Sequence, residues 1–369
     1  MPGQESLLIE HQLVSIRVPV DSSLLSLGQR LVASFTKGLG DTPVADVELY
    51  ARFLEHCTSK NSELTLAVFG EFKHAFCADT DVHSVVQQHN LDKVQIRAVL
   101  RGYYSAWDLV QSHKPMADAS SAAKPALFSD PSVSLMALFG GQGGMDNYMD
   151  EARWLWDAYR PLLLEFVTKA SAFLEHESRD PRVAELYDKG LSPIQWLKDP
   201  DSLPSQEYLL TIPISMPVVG LIQLMHVVTA YKTLGVSPGE LARSFKAAAG
   251  HSQGIAIAAA LSMATDDASF YAVAEKVLGT LLLASAYPQL EYPYHPLSPS
   301  DEADVLTDGQ TPYPMVSVQG VSKRVLEGYI AEFNSDQPER GSTVNLSLVN
   351  TYDQFIWHLV LPPSSYSVQ

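Results

Sequence analysis

Cysteine is nearly absent from this chain: Cys57 and Cys77 are the only two in 369 residues. So few exclude a disulfide framework and point to a reducing compartment, the cytoplasm. Neither a Cys-x-x-Cys pair nor a Cys/His spacing of the kind that holds zinc occurs, so no metal site is expected. Basic residues are also scarce. Lys and Arg number 25 against 42 Asp and Glu, a formal net charge of −17. That balance argues against nucleic acid and anionic membrane as partners, since both demand a basic face. No uninterrupted apolar run of about 18 residues, the length at which a membrane span becomes a candidate, is present. The most apolar stretch, 213–230, contains Gln223 and His226 and reads as a buried helix. The N-terminus has no basic start followed by an apolar run, so no signal peptide is expected. No internal repeat is visible.

What the chain does have is a globular composition, 46% apolar and 18% charged, and length for two or three domains. Residues 1–112 read as a mostly helical N-terminal domain. An apolar, extended opening at 13–20 runs into a helix start at Ser22-Ser23-Leu24-Leu25, and helical patterns continue through 44–56, 64–76 and 82–109. Residues 113–131, rich in Pro, Ala, Ser and Asp, read as a linker. A third region, 132–313, opens on a buried strand at 133–139 that ends in Gly140-Gly141-Gln142-Gly143-Gly144. A long helix of about 145–176 follows, with Trp154, Trp156 and Tyr159 as core aromatics and Pro161 expected to kink or divide it. Ser192-Pro193 starts a short helix, 217–234 is an apolar helix closed by Gly235, and Ser237-Pro238-Gly239-Glu240 is a capping box. A helix over 266–287 and a proline-rich loop over 288–314 complete this region. The last, 314–369, begins with a strand–helix–strand pattern at 315–318, 323–333 and 344–349.

Chemistry concentrates in Gly250-His251-Ser252-Gln253-Gly254, a G-x-S-x-G run preceded by Lys246-Ala247-Ala248-Ala249 and followed by an alanine-rich helix pattern. This is the layout of a nucleophile elbow, in which a tight strand-to-helix turn exposes a serine Oγ and aims a helix N-terminus at the forming oxyanion. Alone, the pattern is shared by chance loops. A serine hydroxyl needs a base and oxyanion donors. One donor is the backbone N–H of Gln253, the residue after the nucleophile. The second is assigned to Gln142, whose flanking glycines permit close approach to a carbonyl; the same glycines also suit an ordinary strand-to-helix turn. His251 adjoins Ser252 and is read as a packing or hydrogen-bonding residue, because adjacent side chains on a tight turn diverge. His226 reads as a satisfied core histidine, and neither His295 nor His358 stands in a context that marks a catalytic base.

FGGQGG (139–144), YLLTIPISMPVVGLIQLMH (208–226), LGVSPGELARSFKAAAGHSQGIAIA (234–258) and VNLSLVN (344–350) together resemble the acetyltransferase region at the start of the fungal fatty acid synthase β subunit. The segment before residue 130 resembles that subunit's own N-terminal domain. The resemblance implies an α/β fold: an α/β-hydrolase-like acyltransferase core, 132–313, with a partial ferredoxin-like subdomain over 314–369. It implies Ser252 as nucleophile and Gln142 and Gln253 at the oxyanion hole. It also implies acyl transfer from a coenzyme A thioester to the phosphopantetheine thiol of acyl carrier protein, with no tightly bound cofactor. The synthase α subunit is the implied partner.

Malonyl-specific acyltransferases of this kind place an arginine about 25 residues after the nucleophile, where it pairs with the substrate carboxylate. This chain has no arginine between Arg243 and Arg324, and offers Val277 or Leu278 at that place. An apolar residue there favours acetyl or another short alkyl acyl group; a one-residue slip would bring Lys276 instead. The resemblance puts the general-base histidine beyond the first ferredoxin-like strands, after Gln369. The wording after Asn350 departs from the family pattern, so the tail is expected to be aberrant and the chain truncated. Two further readings stay open: the starter-unit transacylase of a polyketide synthase, and a catalytically incomplete fragment that serves only in assembly.

Overall fold

The computed structural model describes residues 4–40, 43–113, 132–142, 147–291, 315–336, 343–349 and 354–360. These are mostly helical with small sheets, an α/β mixture. They fall into two compact units, Met1–Pro293 and Tyr294–Gln369.

The first unit opens on an antiparallel hairpin, β1 (Gln4–His11) and β2 (Val14–Asp21), joined through Gln12, whose φ is +52°. The extended opening expected at 13–20 is therefore the second half of a hairpin. Leu7, Ile9, Val18 and Val20 point to one face and are buried there, the period of two that a half-buried sheet requires. Helix α1 (Ser22–Gly38) covers that face, its first turn capped by Asp21, which accepts from the Ser23 N–H at 2.8 Å. Helices α2 (Asp46–Thr58), α3 (Ser62–Phe76), α4 (Val82–Gln88) and α5 (Lys93–His113) follow. The single helix expected at 82–109 is thus two. Asn90 takes a left-handed φ of +51°, and Asp92 accepts from the N–H groups of Val94 and Gln95, restarting the chain as a new helix. Gly102 lets α5 lie directly on the Ala51 carbonyl of α2, where any Cβ would overlap it.

Helix α6 (Tyr148–Glu177) packs against α5. Its backbone leaves helical values at Tyr159 (φ −123°, ψ 18°), two residues before Pro161, as a proline inside a helix dictates. Trp156 and Tyr159 are buried. After the short helices α7 (Pro193–Lys198) and α8 (Gln206–Leu210) comes α9 (Ile212–Thr233). It begins five residues earlier than the apolar pattern predicts, because Pro213 sits in its first turn. Pro217, further in, removes the bond to the Pro213 carbonyl, which the Tyr187 hydroxyl approaches at 3.5 Å. Gly235 closes the helix with φ +64°. By length and apolarity α9 could cross a membrane, but 78% of its most apolar window is buried inside the protein, as in a core helix.

Helix α10 (Pro238–Ser244) carries the expected capping box. It leads into β4 (Phe245–Gly250), which runs parallel to β3 (Leu135–Phe139) with Phe139 opposite Gly250. Helices α11 (Gly254–Met263) and α12 (Asp267–Glu291) complete the unit, α12 lying on α9 with Leu281 packed over Gly220.

The second unit holds β5 (Met315–Gln319), α13 (Lys323–Asp336), β6 (Thr343–Val349) and β7 (Gln354–Val360). The sheet order is β5-β7-β6, with β7 antiparallel to both neighbours. Strand β5 therefore runs parallel to β6 across a gap filled by β7, a split βαβ arrangement. The stretch that departs from the family wording supplies this middle strand. The linker at 113–131 and the proline-rich loop lie outside the described residues, apart from His113 and the start of that loop, 288–291, which continues α12.

Candidate active site

The turn between β4 and α11 is built by three local constraints. Ser252 has φ +52°, a left-handed value that costs a non-glycine residue free energy and marks a position worth explaining. Gly250 must lack a side chain, since a Cβ would strike the carbonyl of Gly254. Gly254 must lack one too, because its Cβ would strike the Phe139 carbonyl at the end of β3. The His251 N–H donates to that same Phe139 oxygen at 2.9 Å, and the Gly254 N–H closes the turn onto the His251 carbonyl at 2.9 Å. Sequence spacing and steric contact thus agree: with glycine on both sides, the serine is driven out of the sheet into the open.

Ser252 is exposed, and its Oγ has no hydrogen-bond partner among the described residues. The backbone N–H of Gln253, at the N-cap of α11, likewise has none among them, and it stands at the positive end of the helix. The Gln253 side chain is only 4% exposed, with Oε1 and Nε2 both buried and without a partner among the described residues. Gly141, just past β3, is pressed against the turn. A Cβ built there would lie 3.0 Å from Ser252 Cβ and 3.0 Å from His251 Nδ1. Gln142 follows, half-buried, its Nε2–H donating to Ser215 Oγ of α9 at 2.9 Å. The structure therefore brings together Ser252, Gln253 and the Gly140–Gln142 loop. Residues 143–146 lie outside the described set.

Leu278 is fully buried where α9 and α12 meet, beside Gly220 and Leu281, and Val277 is half-buried on the core. Lys276 is exposed. Among the histidines, His251 is exposed next to the serine. His226 corrects its expectation: it is a surface residue, its side chain 48% exposed, with Nε2 2.7 Å from Glu151 Oε1 of α6. It lies on the side of α9 that the core leaves uncovered, and its partner is a carboxylate at the start of α6. His358 lies on β7, and His295 falls outside the described residues. Among the described residues no group of three or more His, Cys, Asp or Glu could hold a metal.

Gln223 joins the site without any signal in the sequence around it. Its Nε2–H donates to the Gly140 carbonyl at 2.8 Å, while its Oε1 is buried without a partner. Leaving such an acceptor unpaired costs about 1–3 kcal/mol. No signal near Gln223 could have revealed the contact, because the acceptor is 83 residues away along the chain.

Comparison with known proteins gives two regional matches. Residues 137–365 match the family described as starter unit:ACP transacylase in aflatoxin biosynthesis. Residues 4–110 match the N-terminal domain in fatty acid synthase subunit beta. The fatty acid synthase subunit beta of Schizosaccharomyces pombe is 35% identical over 319 residues, covering 84% of this chain and 15% of the relative. That of Saccharomyces cerevisiae is 29% identical over 347 residues, 90% of this chain and 17% of the relative. The fatty acid synthase beta subunit aflB of Emericella nidulans is 34% identical over 291 residues, 77% and 13% respectively. The chain thus spans between 13% and 17% of these relatives' length.

Proposed function

This chain belongs to the starter unit:ACP transacylase family, joined to the N-terminal domain of fatty acid synthase subunit beta, and on that premise we propose that it transfers a short acyl group, acetyl by preference, from coenzyme A to acyl carrier protein. One observation carries the proposal: a serine held at positive φ on a parallel-strand-to-helix turn, against the glycine-rich end of the neighbouring strand. That turn supports reading the region as an α/β-hydrolase-like acyltransferase core.

Ser252 Oγ attacks the thioester carbonyl. The new C–O bond forms as the C–S bond breaks, the hydroxyl proton passes through a base to the departing coenzyme A thiol, and an acyl-serine remains. The phosphopantetheine thiol of the carrier protein then reverses these steps and takes the acyl group. The Gln253 N–H and the Gln142 backbone hold the oxyanion, aided by the N-terminus of α11. The apolar Val277, half-buried beside the closed-in Leu278, suits an acyl group that ends in methyl. No metal and no tightly bound cofactor enter this scheme. The proposed setting is the cytoplasm, consistent with two free cysteines, and the proposed assembly partner is the synthase α subunit.

Ser252 Oγ has no hydrogen-bonded base among the described residues, and a serine without its base reacts on the order of a thousandfold to a millionfold more slowly than a complete catalytic set, so slow acylation is expected. The same observation supports a second reading, a catalytically incomplete piece of the synthase that serves in assembly. The family description favours a third, starter-unit transfer to a polyketide synthase. Intact-mass measurement after prolonged incubation with acetyl-CoA separates transfer from assembly: one acetyl adduct on the wild-type chain, none on Ser252→Ala. An adduct that persists in the alanine variant removes Ser252 from its role.

A further inference from the structure

Helix α9 is apolar almost throughout, yet two of its polar side chains reach the same short loop. Ser215 receives the Gln142 side-chain N–H at 2.9 Å, and Gln223 donates to the Gly140 carbonyl at 2.8 Å. The two contacts bracket Gly141, the residue that packs on Ser252 Cβ. A trans peptide points its C=O and the following N–H in opposite directions. A donor that fixes the Gly140 carbonyl therefore also fixes where the Gly141 N–H points and how the next peptide, which carries the Gln142 N–H, is presented. The Gly140 carbonyl is also the oxygen against which Gly254 packs, 2.7 Å from where a Gly254 Cβ would be. Gln223 thus meets the loop and the start of α11 at one atom. Its own Oε1 has no partner among the described residues. Of the Gln223 amide, the Nε2–H donor is the part engaged, and its acceptor is the loop beside Ser252.

We infer that Gln223 is a positioning residue for reaction at Ser252: it holds the Gly140 peptide so that the Gln142 backbone faces the oxyanion. The inference rests on the reading of Ser252 as acyl acceptor, and two probes keep their failures apart. Acetyl-CoA reads acyl transfer. A fluorophosphonate, which forms a Ser Oγ–P bond as fluoride leaves, reads the serine and its oxyanion donors without coenzyme A. Gln223→Leu keeps the size and loses the donor. Gln223→Glu loses it at neutral pH and regains an O–H donor on protonation.

Both variants are expected to lower the maximal labelling rate about tenfold to a hundredfold, the scale of a small misplacement at a reacting centre, with half-saturation by fluorophosphonate unchanged and with helical circular dichroism intact. As pH falls from about 8 toward the ordinary glutamate range near 4.3, the Gln223→Glu rate should recover relative to wild type, while Gln223→Leu should not. A packing role would move neither quantity in this way. Wild-type rates in both variants, or equal deficits at every pH, overturn the inference. Labelling of the wild type by fluorophosphonate but not by acetyl-CoA overturns the acyl-donor reading and leaves the Gln223 comparison decisive. No labelling of the wild type by either probe overturns both.

Discussion

The seam formed by α2, α3, α5 and α6 and the strand pair β3–β4 are built on opposite plans. In the seam, Phe72 is fully buried among Tyr50, Phe76 and Tyr103 with ring centroids 5.4, 5.1 and 6.0 Å away. Tyr104 meets Tyr159 at 5.5 Å, and Arg97 reaches Asp157 at 3.2 Å. Even the buried Glu48 is satisfied, by Arg52 and Gln95. The β3–β4 pair has no third strand among the described residues, and it leaves Met136 and Leu138 on β3 exposed, Leu138 at 74%. Parallel strands are ordinarily covered on both faces. The Ser252 turn therefore does not owe its shape to a deep sheet. It owes it to glycines that force three backbones into contact and to side chains of α9 that grip the loop beside it.

If that contrast is right, damage to the seam lowers stability, whereas damage to the turn lowers chemistry. Phe72→Ala should have the largest effect, destabilising by about 3–5 kcal/mol, the usual loss for an aromatic in a closed core; chemical denaturation would show it as an earlier midpoint. Gly254→Ala should come next, slowing Ser252 labelling by on the order of a hundredfold with helical circular dichroism intact. A variant labelled at the wild-type rate would mean that the turn tolerates the clash. Gly102→Ala should cost about 1–3 kcal/mol, since overpacking forces α5 off the Ala51 carbonyl.

A pH effect should be smaller. His83 Nε2 lies 3.2 Å from the Tyr159 hydroxyl, and burial lowers its pKa from the ordinary 6.5, the Asp81 carboxylate opposing that shift only in part. The unfolded chain then binds the extra proton more readily than the folded one, so this contribution is present above pH 6.5 and is lost as pH falls through the lowered value. Melting curves between pH 7 and 5 should steepen their decline through this group and flatten in His83→Gln. The smallest effect belongs to Leu138→Lys on the open strand, expected to stay within about 0.5 kcal/mol; a larger loss would show that β3 is covered in solution.

Local features of the site were legible in the sequence, while its long-range supports were not. Gly250, Ser252 and Gly254 announce a tight turn because backbone clearance depends on spacing alone. The capping box at Ser237 and the stop at Gly235 are local for the same reason. The break at Asn90 was hidden because apolar periodicity continues across it on both sides. β1 went unread because its strand character shows only once β2 pairs with it. His226 was read inward from apolar neighbours, but whether a side of a helix is covered depends on what packs there, and Glu151 lies 75 residues away. Gln223 escaped for the same reason.

In the second unit the order of the strands in space is not their order along the chain. Among the described residues β5 and β6 make no ladder with each other, so β5 gains its strand partner only when Gln354–Val360 is synthesised, whereas β6 already meets Asn334 of α13, which donates to the Val344 carbonyl at 2.9 Å and accepts from the Val344 N–H at 2.8 Å. A short-range pairing of β6 with β7 can form at once, but β5 must wait, with no other strand beside it among the described residues, through the synthesis of the 34 residues, 320–353, that separate it from β7, and long-range pairings of this type close slowly. In that interval the open edge of β5 is a template on which another chain can pair.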